Sequence, residues 1–418
     1  MSVIGVGEVE AADTTLTINP GDVLTPLARD RATERGVTIV ISGAPAVGPS
    51  AAGTAASGRS TPPQPQPSPL DLSDPAHPRD ADARTINSLY RRGAPVSPNL
   101  QSRPRTKTPG TKPRAAVVGA GHVGSIATVR LAESDLFEEV VLIDLVEGLA
   151  AGIALDLWHD ASIAGFATRI VGNEDMAALS GVDYVIVTAG KPRTPGMTRT
   201  DLTAANAAVV GPVCEQIARH APHCVIVVVT NPLEEMTHLA QIRSGFSSER
   251  VLGMAGVLDS ARFCSLVGLS GVALPSEIEA FALGSHGPEM VVPLSQAKVK
   301  GRPLTELMPA DQLAAIVERT RDSGAEVVSL LKTGSAYFAP GHCAALMVTA
   351  MASRSGQVLA CAVDPKGSYG IRDTRVGVPV RLGPSGLESV VELALQPDEL
   401  TALRESADRL RERIHEVA

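Results

Sequence analysis

The sequence predicts an α/β protein, built on a doubly wound parallel sheet that is followed by an α+β domain and preceded by a largely disordered extension. Three observations support this fold class. Four apolar runs, AAVVG, VVLID, DYVIVTAG and CVIVVVTNP, alternate with helical stretches after residue 114, as strands do when helices cover both faces of a sheet. A glycine-rich turn follows the first run, and an acid ends the second.

Length and composition limit the other possibilities. With 418 residues, 44% of them hydrophobic, the chain is long enough for two or three domains of roughly 150 residues. No apolar run approaches the ~18 residues that span a bilayer, and the first residues lack the basic and apolar regions of a secretory signal. The five cysteines form no CxxC pair, which favours structural thiols. We expect a cytoplasmic protein with no membrane partner and no metal.

Charge is distributed unevenly along the chain. The net charge of −8 argues against nucleic acid as a partner, yet residues 79–114 carry nine Lys or Arg against two Asp. Of the 31 prolines, 16 precede Arg114, and they prevent a continuous basic helix. This favours a solvated linker, with contact to an acidic surface as the alternative.

The first 113 residues divide into two segments. Residues 1–42 are predicted to be weakly ordered, with one short helix and one short strand. Thr25 suits the N-cap, Pro26 the first helical position and Gly36 the helix end, with the strand VTIVI after it. Residues 43–113, rich in Ala, Gly, Ser, Pro and Gln, predict a flexible linker. Within it, DARTINSLYRR is either a small docking helix or a transient one.

The glycine-rich turn has the spacing of a dinucleotide-binding fingerprint. Its first glycine suits a tight turn, its second lets backbone approach a pyrophosphate, and its third lets helix and strand pack closely. Asp144, 20 residues after the last glycine, suits the ribose hydroxyls and favours NAD over NADP. Residues 114–258 are therefore predicted to be a Rossmann NAD-binding domain, with a fold that has lost its ligand as the alternative. Candidate cofactor contacts in the turn are Gly119, Gly121, His122, Val123 and Gly124.

Seven motifs after residue 114 occur in the order and approximate spacing of one family. They are GAGHVG, TAGKPRTPGMTRTDL, TNPLEEMT, LGMAGVLDSARF, GSHGPEMVVP, KTGSAYFAP and YGIRDTRVGVPVRLG. Through them the chain resembles the lactate/malate dehydrogenase family, and most of all its lactate-dehydrogenase-like malate dehydrogenase branch. The resemblance covers residues 114–418. It implies that residues 259–418 form the substrate and catalytic domain, and that the protein is a homodimer or homotetramer.

The GSHG motif carries a candidate catalytic base. Hydride transfer from a hydroxy acid needs a base for the hydroxyl proton, and a histidine held by a carboxylate suits that role near neutral pH. His286 is the candidate, and the resemblance implies that Asp259 orients it. Arg262 lies three residues after Asp259 on a predicted helix, where its guanidinium suits bidentate binding of a substrate carboxylate. A surface salt bridge is the alternative for this pair.

The segment KPRTPGMTR resembles the mobile lid of that family. The resemblance implies that Arg199 polarises the C2 oxygen of the substrate and that Arg193 discriminates between substrates. Malate and oxaloacetate bring a second carboxylate that Arg193 can pair, whereas a methyl group beneath an unpaired buried arginine would cost several kcal/mol. The resemblance also implies substrate contacts at Asn231 and Ser335, and cofactor contacts at Asn206, Thr230 and Asn231.

One residue departs from the family pattern. Pro288 in HGPEM stands where the family usually has Asp, and proline removes a backbone donor and restricts φ. We expect the strand that holds His286 to be reshaped and the enzyme to remain active, with the effect on turnover and substrate preference left open.

These features predict an NAD-dependent oxidoreductase that interconverts malate and oxaloacetate, so that its small-molecule partner is a 2-hydroxy or 2-oxo acid. Lactate and pyruvate are the alternative substrates within the class. A non-catalytic scaffold on a nucleotide fold is the alternative from another class.

The segment INPGDVLTPLARDRATERGVTIV is similar to short segments on enzymes of bacterial microcompartments. This implies that residues 1–42 dock to a protein shell or a partner enzyme, which would bring the protein inside a microcompartment. An inert extension is the alternative.

Overall fold

The computed structural model describes residues 3–4, 6–19, 22–24, 26–42, 112–192 and 197–415. These residues belong to two units, Met1–Arg79 and Asp80–Ala418, with separate hydrophobic cores. The predicted linker at residues 43–113, including the helical pattern DARTINSLYRR, lies outside the described residues except for its last two. Among the described helices, none combines the length and the apolar character that a membrane-spanning segment requires.

The N-terminal unit contains more regular structure than the sequence predicted. Its elements are β1 (Val3–Ile4), α1 (Val6–Ala11), β2 (Thr15–Ile18), β3 (Val23–Leu24), α2 (Pro26–Arg35) and β4 (Thr38–Ile41). The predicted helix and strand are α2 and β4, but the prediction of only one helix and one strand was wrong. Strand β1 pairs with β3 and β2 pairs with β4, both in parallel. Such pairing between distant segments leaves little local signal, especially in strands of two to four residues.

The main unit is built on an eleven-stranded sheet. Its parallel half consists of β5 (Arg114–Val118), β6 (Glu139–Ile143), β7 (Arg169–Asn173), β8 (Tyr184–Val187), β9 (Val225–Val228) and β10 (Val251–Gly253). The order β7-β6-β5-β8-β9-β10, parallel throughout, confirms the doubly wound fold. The four predicted strands are β5, β6, β8 and β9. The strand order reverses between β5 and β8, the point at which such sheets bind ligands.

Helices cover both faces of this parallel half. They are α3 (His122–Glu133), α4 (Leu149–Ala164), α5 (Arg199–His220) and α6 (Leu233–Ser244). Ala115 and Val117 of β5 pack into the core on one face, and Ala116 and Val118 pack into the core on the other. Burial on both faces explains why the strand is apolar at successive positions.

The second half of the main unit combines antiparallel strands with long helices, as the predicted α+β domain requires. Its helices are α7 (Gly256–Leu269), α8 (Ala310–Leu331), α9 (Phe338–Ser353) and α10 (Pro397–His415). Its strands are β11 (Ile278–Glu279), β12 (Leu283–Gly284), β13 (Met290–Val291), β14 (Lys298–Val299), β15 (Arg302–Pro303), β16 (Val358–Val363), β17 (Val376–Gly383) and β18 (Gly386–Val390). Strand β16 joins β10 antiparallel, β17, β12 and β13 continue the sheet, and β18 pairs with β17. Strands β11, β14 and β15 form a separate small sheet.

The five cysteines are all free thiols. Burial raises the pKa of Cys214 and of Cys224 to about 12. Because the thiolate is the reactive form, these side chains act as small apolar core residues.

Candidate active site

The glycine-rich turn forms a cradle at the start of α3. Gly119 has a φ of 110°, and a Cβ on it would lie 2.6 Å from Oγ1 of Thr188, so a side chain does not fit. A Cβ on Gly124 would overlap the carbonyl oxygen of Gly119, because helix and turn are in direct contact. Gly121 differs, since apart from its two chain neighbours no atom of the described residues lies within 4 Å of where its Cβ would be. The turn therefore has no room for a side chain at Gly119 or Gly124, whereas there is free space beside Gly121.

Helix α3 begins at His122 without a side-chain cap, because its N-cap residue is Gly121. The N–H groups of its first turn, among them those of His122 and Val123, are thus available to an anion, and the helix dipole adds partial positive charge there.

Asp144 directly follows β6 and lies beside this cradle. Its Oδ2 accepts a hydrogen bond from the backbone N–H of Ala120 at 2.7 Å, and its Oδ1 accepts one from Val146 at 3.0 Å. Each oxygen keeps a further lone pair for a ribose hydroxyl. The uncapped helix, the open space at Gly121 and the fixed acid together fit an NAD dinucleotide.

Three of the predicted residues meet between α7 and the turn that follows β12. Nδ1 of His286 lies 2.7 Å from Oδ2 of Asp259, and Nη1 of Arg262 donates to Oδ1 of the same carboxylate at 3.1 Å. The side chain of Asp259 is 2% exposed, while those of His286 and Arg262 are each 17% exposed. Because the Asp259–Arg262 pair is largely buried, it is not the surface salt bridge of the alternative interpretation.

Asp259 determines which nitrogen of His286 is free. A neutral imidazole that donates from Nδ1 to the carboxylate leaves Nε2 as a proton acceptor. Burial alone lowers the pKa of His286, but the charge of Asp259, its hydrogen bond and the charge of Glu234 outweigh that effect. The net pKa lies above the ordinary value. A raised pKa makes the ring a stronger proton acceptor and stabilises the imidazolium that forms.

Glu234, on the first turn of α6, was not singled out by the sequence. Its Oε1 accepts a hydrogen bond from the backbone N–H of His286 at 2.6 Å, and the residue is 1% exposed. Burial raises the pKa of this carboxyl. Its position after TNP was the available signal, but acids are common in a first helical turn because they complement the helix dipole. An acid at this position therefore did not by itself indicate a contact with His286.

Asn206 connects two loops at the ends of the parallel strands. Its Oδ1 accepts from the backbone N–H of Lys191 at 2.7 Å, and its Nδ2 donates to the carbonyl oxygens of Lys191 and Asn231 at 3.1 and 2.6 Å. Nearby, Oγ1 of Thr230 donates to the carbonyl oxygen of Ala189 at 2.7 Å. These side chains hold the loops in place, and Asn231 itself is exposed in the segment between β9 and α6.

Of the remaining predicted residues, the structure describes Arg199 and Ser335 but not Arg193. Arg199 is the first residue of α5, and its Nη2 donates to Oε1 of Glu235 at 2.8 Å. Ser335 is exposed in the loop between α8 and α9, and Arg193 lies outside the described residues. The guanidinium of Arg262 lies 3.7 Å from where a Cβ of Gly324 would be. Gly324 is thus a small neighbour of Arg262 that the motifs did not indicate.

Pro288 occupies a turn and not a strand. The backbone N–H of Met290 donates to the carbonyl oxygen of Gly287 at 3.0 Å, which makes Pro288 the second residue of a four-residue turn, a position that proline favours. His286 therefore lies in the connection between β12 and β13. The expected strand around His286 is replaced by this turn.

The cradle lies where the strand order reverses, and the adjoining domain supplies a histidine paired to a buried carboxylate. This combination is typical of one class of protein, the NAD-dependent oxidoreductases that act on hydroxyl groups. Comparison with known families agrees. Residues 113–253 match the NAD binding domain of lactate/malate dehydrogenase, and residues 256–418 match its alpha/beta C-terminal domain. The chain belongs to the lactate/malate dehydrogenase family.

Individual relatives are also similar over the main unit. The chain is 43% identical to the malate dehydrogenase of Chloroherpeton thalassium over 304 residues, which cover 73% of this chain and 98% of the relative. It is 45% identical to that of Trichormus variabilis, over a stretch that covers 72% of this chain and 93% of the relative. Among solved structures, Cryptosporidium parvum malate dehydrogenase has a TM-score of 0.71 at 35% identity, with 73% of this chain and 99% of that chain covered.

Proposed function

We propose that this protein interconverts (S)-malate and oxaloacetate with NAD+ and NADH. The observation that carries the proposal is the buried cluster in which Asp259 contacts both His286 and Arg262, at 2.7 and 3.1 Å. One carboxylate thus orients a base and a carboxylate-binding arginine together. The relatives named malate dehydrogenase support the choice of substrate.

The residues that would hold the dinucleotide are those of the cradle. The N–H groups at the start of α3 would bind the pyrophosphate, and Asp144 would bind the ribose. Asn206 and Thr230 would keep the strand ends beside the nicotinamide in position, through the hydrogen bonds given above. When bound, NAD+ supplies the acceptor for the hydride.

In the direction of malate oxidation, Nε2 of His286 takes the proton of the C2 hydroxyl. Asp259 keeps the ring in the required tautomer and stabilises the imidazolium that results. In the reverse direction the imidazolium returns this proton to the C2 oxygen. Arg262 binds the C1 carboxylate through its planar fork, and Arg199 polarises the C2 oxygen.

Arg193, by inference from the sequence, is the residue that would select malate over lactate. A guanidinium pairs the second carboxylate of malate or oxaloacetate, while pyruvate offers only a methyl group. The test measures NADH oxidation with oxaloacetate and with pyruvate in parallel. We expect the higher kcat/KM with oxaloacetate. A preference for pyruvate would contradict the role of Arg193, and no oxidation with either acid would contradict the proposed activity.

We further propose that the protein forms a homodimer or homotetramer through α4. Apolar residues dominate this helix, yet its residue Ile163 is 84% exposed. Leu145, which lies shortly before the helix begins, is 83% exposed. A second copy of the chain is the partner expected for such a face within this family. Sedimentation of the wild type and of Ile163→Glu tests this. We expect the substitution to give monomers, and a monomeric wild type would refute the proposal.

Residues 1–42 support a separate proposal, docking to a microcompartment shell or partner enzyme in the bacterial cytoplasm. They belong to the unit Met1–Arg79, which has a small core of Val9, Ala28, Ala32 and Val37. We expect deletion of residues 1–113 to leave kinetics intact and to change a fluorescent fusion from foci to a uniform distribution in cells. Loss of activity on deletion, or an unchanged distribution, would contradict docking.

A further inference from the structure

Glu235 is a buried carboxylate with more than one arginine in reach. Its side chain is 2% exposed, and its Oε1 accepts from Nη2 of Arg199 at 2.8 Å. Nε of Arg413, on α10, lies 3.6 Å from the same oxygen. Within the described part of the chain, neither Oε2 of Glu235 nor Nε of Arg413 has a hydrogen-bond partner. Two complementary buried groups thus lie beside each other without a hydrogen bond between them.

Arg413 is already fixed near the candidate base. Its Nη1 contacts Oε2 of Glu289 at 2.8 Å, and its Nη2 donates to Oγ of Ser285 at 3.3 Å. Ser285 and Glu289 flank His286 on the turn between β12 and β13. A movement of about 1 Å would bring Nε of Arg413 to hydrogen-bond distance from Glu235. A cleft of about 250 Å³ beside Arg199, Glu235 and Arg413 provides room for this movement.

The guanidinium of Arg199 cannot bind Glu235 and the substrate equally well. Its side chain is 48% exposed, and its backbone is fixed by the capping box of Thr198 and Asp201 at the start of α5. If Arg199 turns to the C2 oxygen of a substrate, Glu235 loses its hydrogen-bonded partner while buried. A buried carboxylate without a partner is costly, so substrate binding would be weakened unless another cation replaces Arg199.

We propose that Glu235 and Arg413 are positioning residues that exchange partners during substrate binding: Arg413 takes over Glu235 when Arg199 leaves it for the substrate. This rests on the proposed function, because it assigns Arg199 to the C2 oxygen. The exchange compensates the loss of the Arg199–Glu235 pair. It also couples the arginine that contacts substrate to α10 and to the turn that carries His286.

A double-mutant cycle tests the exchange. Arg413→Gln leaves Glu235 unpaired in the substrate complex, and we expect a KM for oxaloacetate about tenfold higher. Glu235→Gln removes the charge that needs compensation, so KM changes less than threefold. The double variant should have the same KM as Glu235→Gln, because without the carboxylate of Glu235 the loss of Arg413 leaves no charge unpaired. We expect Arg413→Lys, which keeps the charge, to recover part of the affinity.

Arg409→Gln is the matched control. Arg409 lies on the same helix and its Nε is 3.4 Å from Glu289, but it makes no ion pair with Glu235 among the described residues. We expect wild-type KM from it. If Arg413→Gln raises KM by the same factor with and without Glu235, or does not raise it, the exchange is refuted and Arg413 only supports the fold.

The cycle is repeated on the dissociation constant of hydroxymalonate, a hydroxy diacid, with NADH present. This measurement separates the two proposals. Coupling between Glu235 and Arg413 in the dissociation constant would support the exchange. If the wild type at the same time turned over neither oxaloacetate nor pyruvate, the proposed reaction would be contradicted. Turnover without coupling would refute the exchange alone.

Discussion

Glu234 holds the backbone of His286, while Asp259 holds its side chain. Oε1 of Glu234 is 2.6 Å from the backbone nitrogen of His286, and Oδ2 of Asp259 is 2.7 Å from Nδ1. Both acids are almost fully buried. His286 is thus held through its backbone and through its ring by two carboxylates that belong to different helices, α6 and α7, so a change in either acid affects the histidine.

The pH dependence of activity should report this arrangement. Reduction of oxaloacetate needs protonated His286, so its kcat/KM falls as pH rises through the pKa of His286. That pKa lies above the ordinary value, which is about 6.5. Malate oxidation needs the neutral ring and shows the opposite slope. Because the charge of Glu234 raises the pKa, Glu234→Gln should move both midpoints to lower pH. Profiles with unchanged midpoints would contradict this.

Asp259→Asn should be far more damaging than Glu234→Gln. An amide at this position can donate a hydrogen bond to Nδ1, which stabilises the tautomer with its proton on Nε2 and leaves no base. We expect kcat to fall at least about 10²-fold, while the dissociation constant of NADH, measured by fluorescence, stays within twofold. A kcat within tenfold of wild type would exclude Asp259 as the orienting group.

The sequence predicted the parts of the site that have local signals. Strands buried on both faces are apolar throughout, and glycines in a turn before a helix have a fixed spacing, so β5 and the cradle could be located before the structure. Asp259 and Arg262 share one helical turn, and the GSHG motif indicated His286. These features depend on neighbours that are close along the chain.

The contacts that were missed join residues far apart in sequence. Glu234 meets His286 across 52 positions, and Arg413 meets Ser285 across 128. Nothing near Glu235 or Arg413 distinguishes them from the acids and arginines of an ordinary amphipathic helix. In the N-terminal unit, β2 likewise depends on its pairing with β4. Only the tertiary fold brings such groups together.

Arg193→Gln tests the basis of substrate choice. Removing the charge leaves the second carboxylate of oxaloacetate unpaired and removes the penalty for a methyl group. We expect the ratio of kcat/KM for oxaloacetate to that for pyruvate to fall by about 30-fold or more, equivalent to roughly 2 kcal/mol. Binding of NADH serves as the control and should not change. An unchanged ratio would mean that another residue selects the substrate.

Two glycines of the cradle should respond differently to the same substitution. Gly121→Ala places a methyl group where no atom of the described residues, apart from the two chain neighbours, lies within 4 Å, at a φ of −72° that alanine adopts without strain. The Tm should therefore remain near that of the wild type, while the methyl group obstructs the pyrophosphate and raises the dissociation constant of NADH about tenfold or more. Gly124→Ala pushes a methyl group into the carbonyl oxygen of Gly119, so its Tm should fall as well. Thermal denaturation and NADH titration of both variants test this. Normal NADH affinity in Gly121→Ala would show that the dinucleotide does not approach the chain at this turn, and the cofactor site would have to lie elsewhere.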